Sequence, residues 1–471
     1  MVVIERLAEG RDRRTKIVAT IGPATSSEEA LRALVQAGMN VARLNFSHGT
    51  PEEHLETIQR LRRLAAELEI PVAILQDLPG PKVRIGTFAD GTVELRAGAS
   101  FTLTTRAIQG SPEVVSVSYP DLPEAVAPED RLLLADGAVE LRVREIEGRE
   151  IRCTVVTGGT LSARKGVNVP SGLPGLPILG ETDLHHLRFG LQHGVDYVGL
   201  SFVRTAEDVR TAKREIAGLG GRAPVIAKIE TRAALHHLDE ILVETDGVMV
   251  ARGDLSIETP FTRVPVVQKA VIAAANRRAK PAITATQMLY SMVASPTPTR
   301  AEVADVANAI VDGSDAVMLS EETAVGRHSV RAVQTMAAIA ADTDRAGPWR
   351  AGGSGDETDA LPTEHEAVVE AACRLAARLD VGVIATITRD GETARLAAKY
   401  RPRQAILAVT PRLETYRQLA LVRGVVPLLL PASGEMPEAL VAAARAIAHQ
   451  HGWGGRRGIF VARDLVRCVT V

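Results

Sequence analysis

The stretch Val225–Glu258 reads VIAKIETRAALHHLDEILVETDGVMVARGDLSIE. Two apolar runs, Val225–Ala227 and Gly247–Val250, are joined by about 20 residues of helical pattern. Each run ends in charge: Lys228 and Glu230 after the first, Arg252 and Asp254 after the second. Short apolar runs of this kind read as buried parallel strands, and in α/β folds the groups at the C-terminal ends of such strands form the site. Two carboxylates and two cations so placed suggest a hard metal ion beside an anionic substrate.

Working outward, the same strand–helix alternation recurs. On the N-terminal side, strands are predicted at Lys16–Ile21, Asn40–Leu44 and Pro71–Gln76, the last ending at Asp77. Ser26 or Ser27 can cap a helix that Gly38 ends, and Pro51 opens another running to about Glu69. From Gly86 to Arg164 the pattern changes to short β-rich runs separated by turns such as DG and EGRE, which reads as a small all-β insertion with hairpins. The alternation then resumes, with strands at Tyr197–Leu200, Val225–Ile229, Gly247–Val250, Pro281–Thr284 and Ala316–Leu319 and a last helix over Ser329–Asp342. Eight β/α units are the count of a closed (β/α)8 TIM barrel, here interrupted after its third strand. Residues 343–363 read as a linker, and residues 364–471 as a smaller C-terminal α/β domain. The predicted organisation is an N-terminal arm (1–15), a barrel (16–85 and 165–342), a β-rich lid (86–164), the linker and the C-terminal domain.

Composition narrows the function classes. Apolar residues are 46% of the 471 but aromatics only 3%, so aliphatic side chains must fill the core. A net charge of −2 without a basic block argues against nucleic acid as main partner. Cys153, Cys373 and Cys468 lie far apart, a set that fits a reducing cytoplasm and reads as buried bystanders. Neither a secretory signal nor a membrane span is expected.

The barrel reading makes a test possible, because groups after each strand should converge on one rim. Arg43, Asn45, Ser47 and His48 follow the second strand; Asp77, Lys82 and Arg84 the third; Ser201, Phe202 and Arg204 the fourth. Thr286 and Gln287 follow the seventh strand, and Ser320, Glu321 and Glu322 the eighth. Nearly every predicted strand delivers polar or charged groups to the same end, the arrangement of a catalytic rim.

These residues sit in NVARLNFSHG, GPKVR, SARKGVNVP, AKIE, MVARGDLSIE, ATQML, PTPTRAEVADVANA and LSEETAVG, and together these strings resemble pyruvate kinase from about Lys16 to the C-terminus. The resemblance implies transfer of the phosphoryl group of phosphoenolpyruvate to ADP, giving pyruvate and ATP. It implies that Glu230 and Asp254 hold Mg²⁺ or Mn²⁺, a role suited to carboxylate oxygens. Lys228 would lie against the moving phosphoryl and the enolate oxygen, Arg43 against the phosphate, and Gly253 with Asp254 and Thr286 against the substrate. Thr286 and Ser320, with water and Glu322, would relay a proton to the enolate. Asn45, His48, Arg84 and Lys165 would face the nucleotide. The β insertion would close as a lid, and the assembly would be a homotetramer. A metal-dependent pyruvate-type aldolase or lyase would need neither the lid nor the third domain, and a non-catalytic paralogue would keep the site shell without turnover.

Four positions depart from the family pattern. Many members read DTKGPE where this chain has Asp77-Leu-Pro-Gly-Pro-Lys82, and Lys at that position accompanies independence from K⁺. The ammonium of Lys82, with Asn45, Ser47 and Asp77 nearby, would stand in for the monovalent cation. Ser256 and Glu321 each replace a usual glycine. In the C-terminal domain Thr388, Gly391 and Thr393 resemble an effector phosphate loop, but Asp390 and Glu392 oppose an anion, and the Gly-rich loop that accompanies activation by fructose 1,6-bisphosphate is missing.

Overall fold

The computed structural model describes residues 13–170, 172–173, 175–347, 362–430, 457–462 and 465–470. Most of the predicted arm, most of the linker and the helix expected before GIFVAR lie outside the described residues. Eight parallel strands close into a barrel: Lys16–Ile21, Val41–Asn45, Ala73–Asp77, Tyr197–Leu200, Val225–Ile229, Gly247–Ala251, Ala282–Ala285 and Ala316–Leu319. Neighbours in sequence pair throughout, and the ring closes where Lys16 meets Ala316.

Strand parity divides the barrel into two cores, because successive side chains point to opposite faces. Val18, Val41, Leu75, Tyr197, Ile226, Met249 and Met318 fill the interior. Ile17, Ala42, Ile74, Val198, Ala227 and Val248 pack outward against the helices. Some strands begin a residue or two late. Pro71 stays outside its strand, since proline cannot donate to the ladder, and Asn40 uses its side-chain oxygen to accept the N–H of Ile17 at 3.0 Å. The helical stretch inside Val225–Glu258 is two short helices, Arg232–His236 and Leu238–Glu244, broken at His237.

The inserted domain has a six-stranded sheet and a two-stranded one around its own apolar core, in which Phe101, Leu103, Leu132, Leu141 and Ile151 are fully buried. The C-terminal domain is a five-stranded sheet, parallel except for its last strand, Leu465–Thr470. It closes the N-terminal end of the barrel. Its 3₁₀ turn Leu419–Leu421 adds Ala420 and Leu421 to the barrel's interior core, and the hydroxyl of Tyr197 donates to the carbonyl of Gln418 at 2.8 Å. Buried Asp344 ties the junction, accepting the N–H groups of Arg14 and Thr15 at 2.8 Å each and pairing with Arg423 at 2.7 Å.

Cys153 and Cys373 are buried, but Cys468 is exposed, which corrects the expectation of three buried bystanders. It sits on the terminal strand, at the edge of the sheet where one side has no neighbour. Among the described residues no helix is long and apolar enough to cross a membrane.

Candidate active site

The rim opposite the C-terminal domain carries the charge. Asp77, the last residue of the third strand, is 1% exposed and lies between two cations. Arg43, in the neighbouring second strand, donates from Nε to Oδ2 of Asp77 at 2.7 Å, and from Nη1 to the Thr20 hydroxyl at 2.9 Å. Lys228, in the fifth strand, lies 3.3 Å from Oδ1 of Asp77 and 3.5 Å from Oε2 of Glu230. It also donates to the hydroxyl of Ser201 at 2.7 Å, which in turn donates to the carbonyl of Leu78 at 2.7 Å. Burial alone would lower the Lys228 pKa, but the Asp77 and Glu230 carboxylates outweigh it and hold the ammonium above the ordinary lysine value. Burial likewise opposes ionisation of Asp77, and Lys228 and Arg43 overcome it, so its carboxyl is held below the usual range.

Glu230 is a buried carboxylate with one unsatisfied oxygen. Its Oε1 accepts the N–H of Phe202 at 2.7 Å, while Oε2, 3.5 Å from the Lys228 ammonium, has no hydrogen-bond partner among the described residues. Burial pushes its pKa up to about 7, with the charge of Asp254 adding and Lys228 opposing. Asp254 belongs to the short helix Arg252–Glu258 that follows the adjacent sixth strand. It is half-buried and makes no hydrogen bond or ion pair among the described residues. A buried acceptor without a donor is costly, and a cation shared with Asp254 would satisfy it. Two carboxylates are the donor set of a hard ion that takes its remaining ligands from water and substrate oxygens. The residues present therefore fit a divalent metal.

Backbone strain surrounds this centre. Phe202, Thr286 and Gln287 have φ of +57°, +73° and +55°. A β-branched residue in the left-handed region is rare and costs of order 1–3 kcal/mol. The turn aims the Thr286 hydroxyl at the N–H of Gly253, which it accepts at 2.9 Å. The Gly253 N–H, expected to meet the substrate, is thus engaged by Thr286. Arg252 is not a substrate cation. It turns away to Asp305 at 2.8 Å and clamps the carbonyl of Thr286 at 2.7 Å.

Glu322 also has a place other than the expected one. Its Oε1 accepts the N–H of Leu289 at 3.0 Å and its Oε2 that of Ser320 at 2.7 Å. Both carboxylate oxygens therefore pin the loops after the seventh and eighth strands. Of the two glycine replacements, Glu321 is exposed, and Ser256 lies within a helix, where its hydroxyl donates to the carbonyl of Gly253 at 2.7 Å. Neither intrudes on the cluster around Asp77.

The expected nucleotide residues form two pairs. Asn45 and His48 share the turn after the second strand, where the His48 N–H donates to the Asn45 carbonyl at 3.2 Å. Arg84 and Lys165 lie side by side on the two segments entering and leaving the inserted domain, with Arg84 bridged to Gly166 and the N–H of Ile85 donating to the Lys165 carbonyl at 2.9 Å. Lys82 has Asp136 of the inserted domain as its ion-pair partner, at 3.9 Å, whereas Asp77 is paired with Arg43 and Lys228. The side chain of Asn45 is turned to the N–H of Ser47 at 3.2 Å. In the C-terminal loop, Thr388 accepts the N–H of Gly391 at 2.8 Å, Thr393 contacts His365 at 3.1 Å, and the Asp390 carboxylate takes the Glu392 N–H at 3.0 Å. The loop's own carboxylate thus occupies one of its backbone N–H groups.

A closed barrel with a buried cation pair beside two carboxylates, under an inserted β domain, defines a metal-dependent enzyme of small anionic substrates. The pyruvate kinase barrel-domain model matches residues 12–333, and the pyruvate kinase alpha/beta-domain model matches residues 366–466. The chain belongs to the pyruvate kinase family. Pyruvate kinase 2 of Synechocystis sp. is 48% identical over 91% of this chain and 73% of its own length. The pyruvate kinase of Thermococcus litoralis is 44% identical over 88% and 89% respectively. A crystal structure of a Cryptosporidium parvum pyruvate kinase superposes with a TM-score of 0.93 at 37% identity, covering 99% of this chain and 97% of that one. The chain is therefore a phosphotransferase that depends on a divalent metal, with phosphoenolpyruvate, ADP, pyruvate and ATP as its reactants.

The double contact of Glu322 predicts a structural cost. Replacing Glu322 with Ala leaves the buried N–H of Leu289 and the part-buried N–H of Ser320 unpaired and should lower unfolding free energy by about 1–3 kcal/mol, with Gln falling between. Urea unfolding followed by circular dichroism checks this; a parent-like midpoint for Glu322→Ala would remove the scaffold role.

Proposed function

We propose that the cluster around Asp77 is the phosphoryl-transfer centre, with Lys228 and Arg43 as the groups that offset the charge of the phosphoryl as it passes to ADP. The observation that carries this reading is the position of Lys228, held at once by Asp77, Glu230 and Ser201. Phosphoryl transfer is mostly positioning and neutralisation of charge. An ammonium fixed from three sides meets developing charge on the phosphoryl and on the enolate oxygen without reorganising. Arg43, fixed by Asp77 and Thr20, takes the phosphoryl oxygens from the neighbouring strand.

Glu230 and Asp254 hold the divalent ion, Mg²⁺ or Mn²⁺. When bound, the ion supplies further neutralisation of phosphoryl and enol oxygens. The substrate carboxylate takes the N–H of Gly253, displacing the Thr286 hydroxyl that accepts it in this structure. Thr286 and Ser320 then pass a proton to the enolate carbon from solvent, since a hydroxyl is too weak an acid to serve alone. Glu322 accepts the N–H of Ser320 and orients that end of the relay. Asn45 and His48, with Arg84 and Lys165 across the cleft, face the nucleotide.

Lys82 removes the need for K⁺. Its side chain is 27% exposed and loosely paired, free to bring the positive charge that a monovalent cation would supply, and buried Leu78 offers no side-chain oxygen ligand. The assembly is a homotetramer. Phe261, Val266 and Tyr290, respectively 80%, 65% and 49% exposed, supply apolar surface for packing copies.

Three outcomes test these proposals. In a coupled assay of pyruvate formation from phosphoenolpyruvate, ADP and Mg²⁺, Lys228→Met should lose about 3–4 kcal/mol of transition-state stabilisation in kcat at a temperature where the variant is still folded, its melting point being lowered by the loss of a buried ion-pair partner. Parent-like kcat would refute the role of Lys228. Activity in Tris and Mg²⁺ should be the same with and without KCl at matched ionic strength, and strong K⁺ stimulation would sink the Lys82 assignment. Sedimentation velocity should give a single tetramer, against which a monomer or dimer would count.

A further inference from the structure

A recess of about 470 Å³ lies where the two segments that carry the inserted domain meet the barrel rim. Its size is within the range of small-molecule sites. Lys228, Glu230, Asp254 and Arg43 do not line it. Its walls come from the outgoing segment at Pro81–Val83, from Val167–Pro170, Leu173 and Leu176 of the return segment, and from the barrel loops that hold Phe202, Thr231 and Glu258.

The walls are mainly apolar. Val83, Val169 and Thr231 are buried, and Leu173, Leu176 and Phe202 complete the lining. The charged side chains in the lining are Lys82, Arg204, Arg232 and Glu258. Arg204 is fully engaged: Asp208 takes its Nη2 at 2.9 Å and its Nε at 3.2 Å, and the carbonyls of Leu173 and Leu176 accept from Nη1 and Nη2 at 3.2 and 2.9 Å. Arg232 is not. Its guanidinium makes no hydrogen bond or ion pair among the described residues, and His236 stands one turn further along the same helix. The one acid is Glu258, whose Oε2 accepts the backbone N–H of Arg232 at 2.8 Å. Burial pushes its pKa up to about 7, with Asp254 adding, so near neutrality a share of it is a neutral acid that can donate a hydrogen bond.

We propose that this recess is a second ligand site, adjoining the reaction site at Lys82 but not including Lys228, Glu230, Asp254 or Arg43, that takes a small organic anion with an apolar body. The apolar walls bury the body, and the unpaired Arg232, with His236, receives the anionic group. Because both segments carrying the inserted domain contribute walls, an occupant wedges them against the barrel and slows lid movement. Its effect falls on turnover and does not depend on competition with either substrate.

The test uses the full-length protein and 8-anilinonaphthalene-1-sulfonate, an apolar aromatic anion whose fluorescence reports binding. Saturating Mg²⁺, ATP and oxalate fill the reaction site during the titration. Binding should persist, Arg232→Glu should weaken it at least about tenfold, and Leu173→Trp, which fills the recess, should abolish it. Both variants should turn over at the parent rate without the probe, which shows that they fold. The probe should also inhibit the parent in a way that saturating phosphoenolpyruvate and ADP do not relieve. Release of the probe by the reaction-site ligands, parent affinity in Arg232→Glu, or inhibition relieved by substrate would each overturn the proposal. The binding readout does not use catalysis, so it stands apart from the assignment of Lys228.

Discussion

One buried carboxylate sets the geometry of the barrel mouth. Asp77 has almost no solvent contact and holds Arg43 at 2.7 Å on one oxygen and Lys228 at 3.3 Å on the other. At an effective dielectric of 20, the attraction between unit charges 3.3 Å apart is about 5 kcal/mol. Removing an ion from water costs several kcal/mol, so such a cluster is near neutral for stability. Its effect is positional. Without Asp77, two cations on neighbouring parts of one rim would repel and turn toward solvent. With it they are fixed a few ångströms apart, facing the space that the orphaned oxygen of Glu230 also faces. A site that must meet transferred charge without reorganising depends on this kind of constraint.

The fold was legible because the strands announce themselves as apolar runs bounded by charge, and eight of them admit few closures. The site was legible to the level of a rim. Which rim residues turn inward was also written in the chain, as parity. Arg43 lies two residues beyond Val41, Asp77 two beyond Leu75, Lys228 two beyond Ile226 and Ser320 two beyond Met318, and each of those anchors is in the interior core. Ser201 is four residues beyond Tyr197 and shares its face. Arg252 is three residues beyond Met249, off that parity, and it is the cation that turns away to Asp305. Counting parity from the core, rather than charge at strand ends, separates the site cation Lys228 from the structural cation Arg252 and brings in Ser201, to which the rim reading gave no role.

What the chain did not disclose is set by backbone that no periodicity describes. Thr286 reaches Gly253 only because its φ is positive, and Glu230 meets the Phe202 N–H across a residue in the same region. Left-handed conformations at non-glycine residues are imposed by the surroundings and leave no local signature. The same holds for Glu322, a carboxylate beside a serine in sequence. Its position suggests proton transfer, but its environment gives both oxygens to backbone amides. Glycine replacements were hard to weigh for the converse reason. Ser256 is helical and Glu321 is exposed, so neither position uses glycine's conformational freedom in this chain.

The mouth rests on a continuous column. Arg43, Asp77 and Lys228 stand on Val41, Leu75 and Ile226, and that interior core ends at Ala420 and Leu421 of the C-terminal domain. The buried pairs at the same junction, Asp344 with Arg423 and Asp315 with Arg401, fix the plug against the strand starts. Close-packed interiors resist small deformations, so the column holds the rim residues at their separations from below. The C-terminal phosphate-like loop is tied up by its own Asp390 and Thr388. The contacts of that domain with the barrel are thereby those of a foundation: they stiffen the cluster around Asp77.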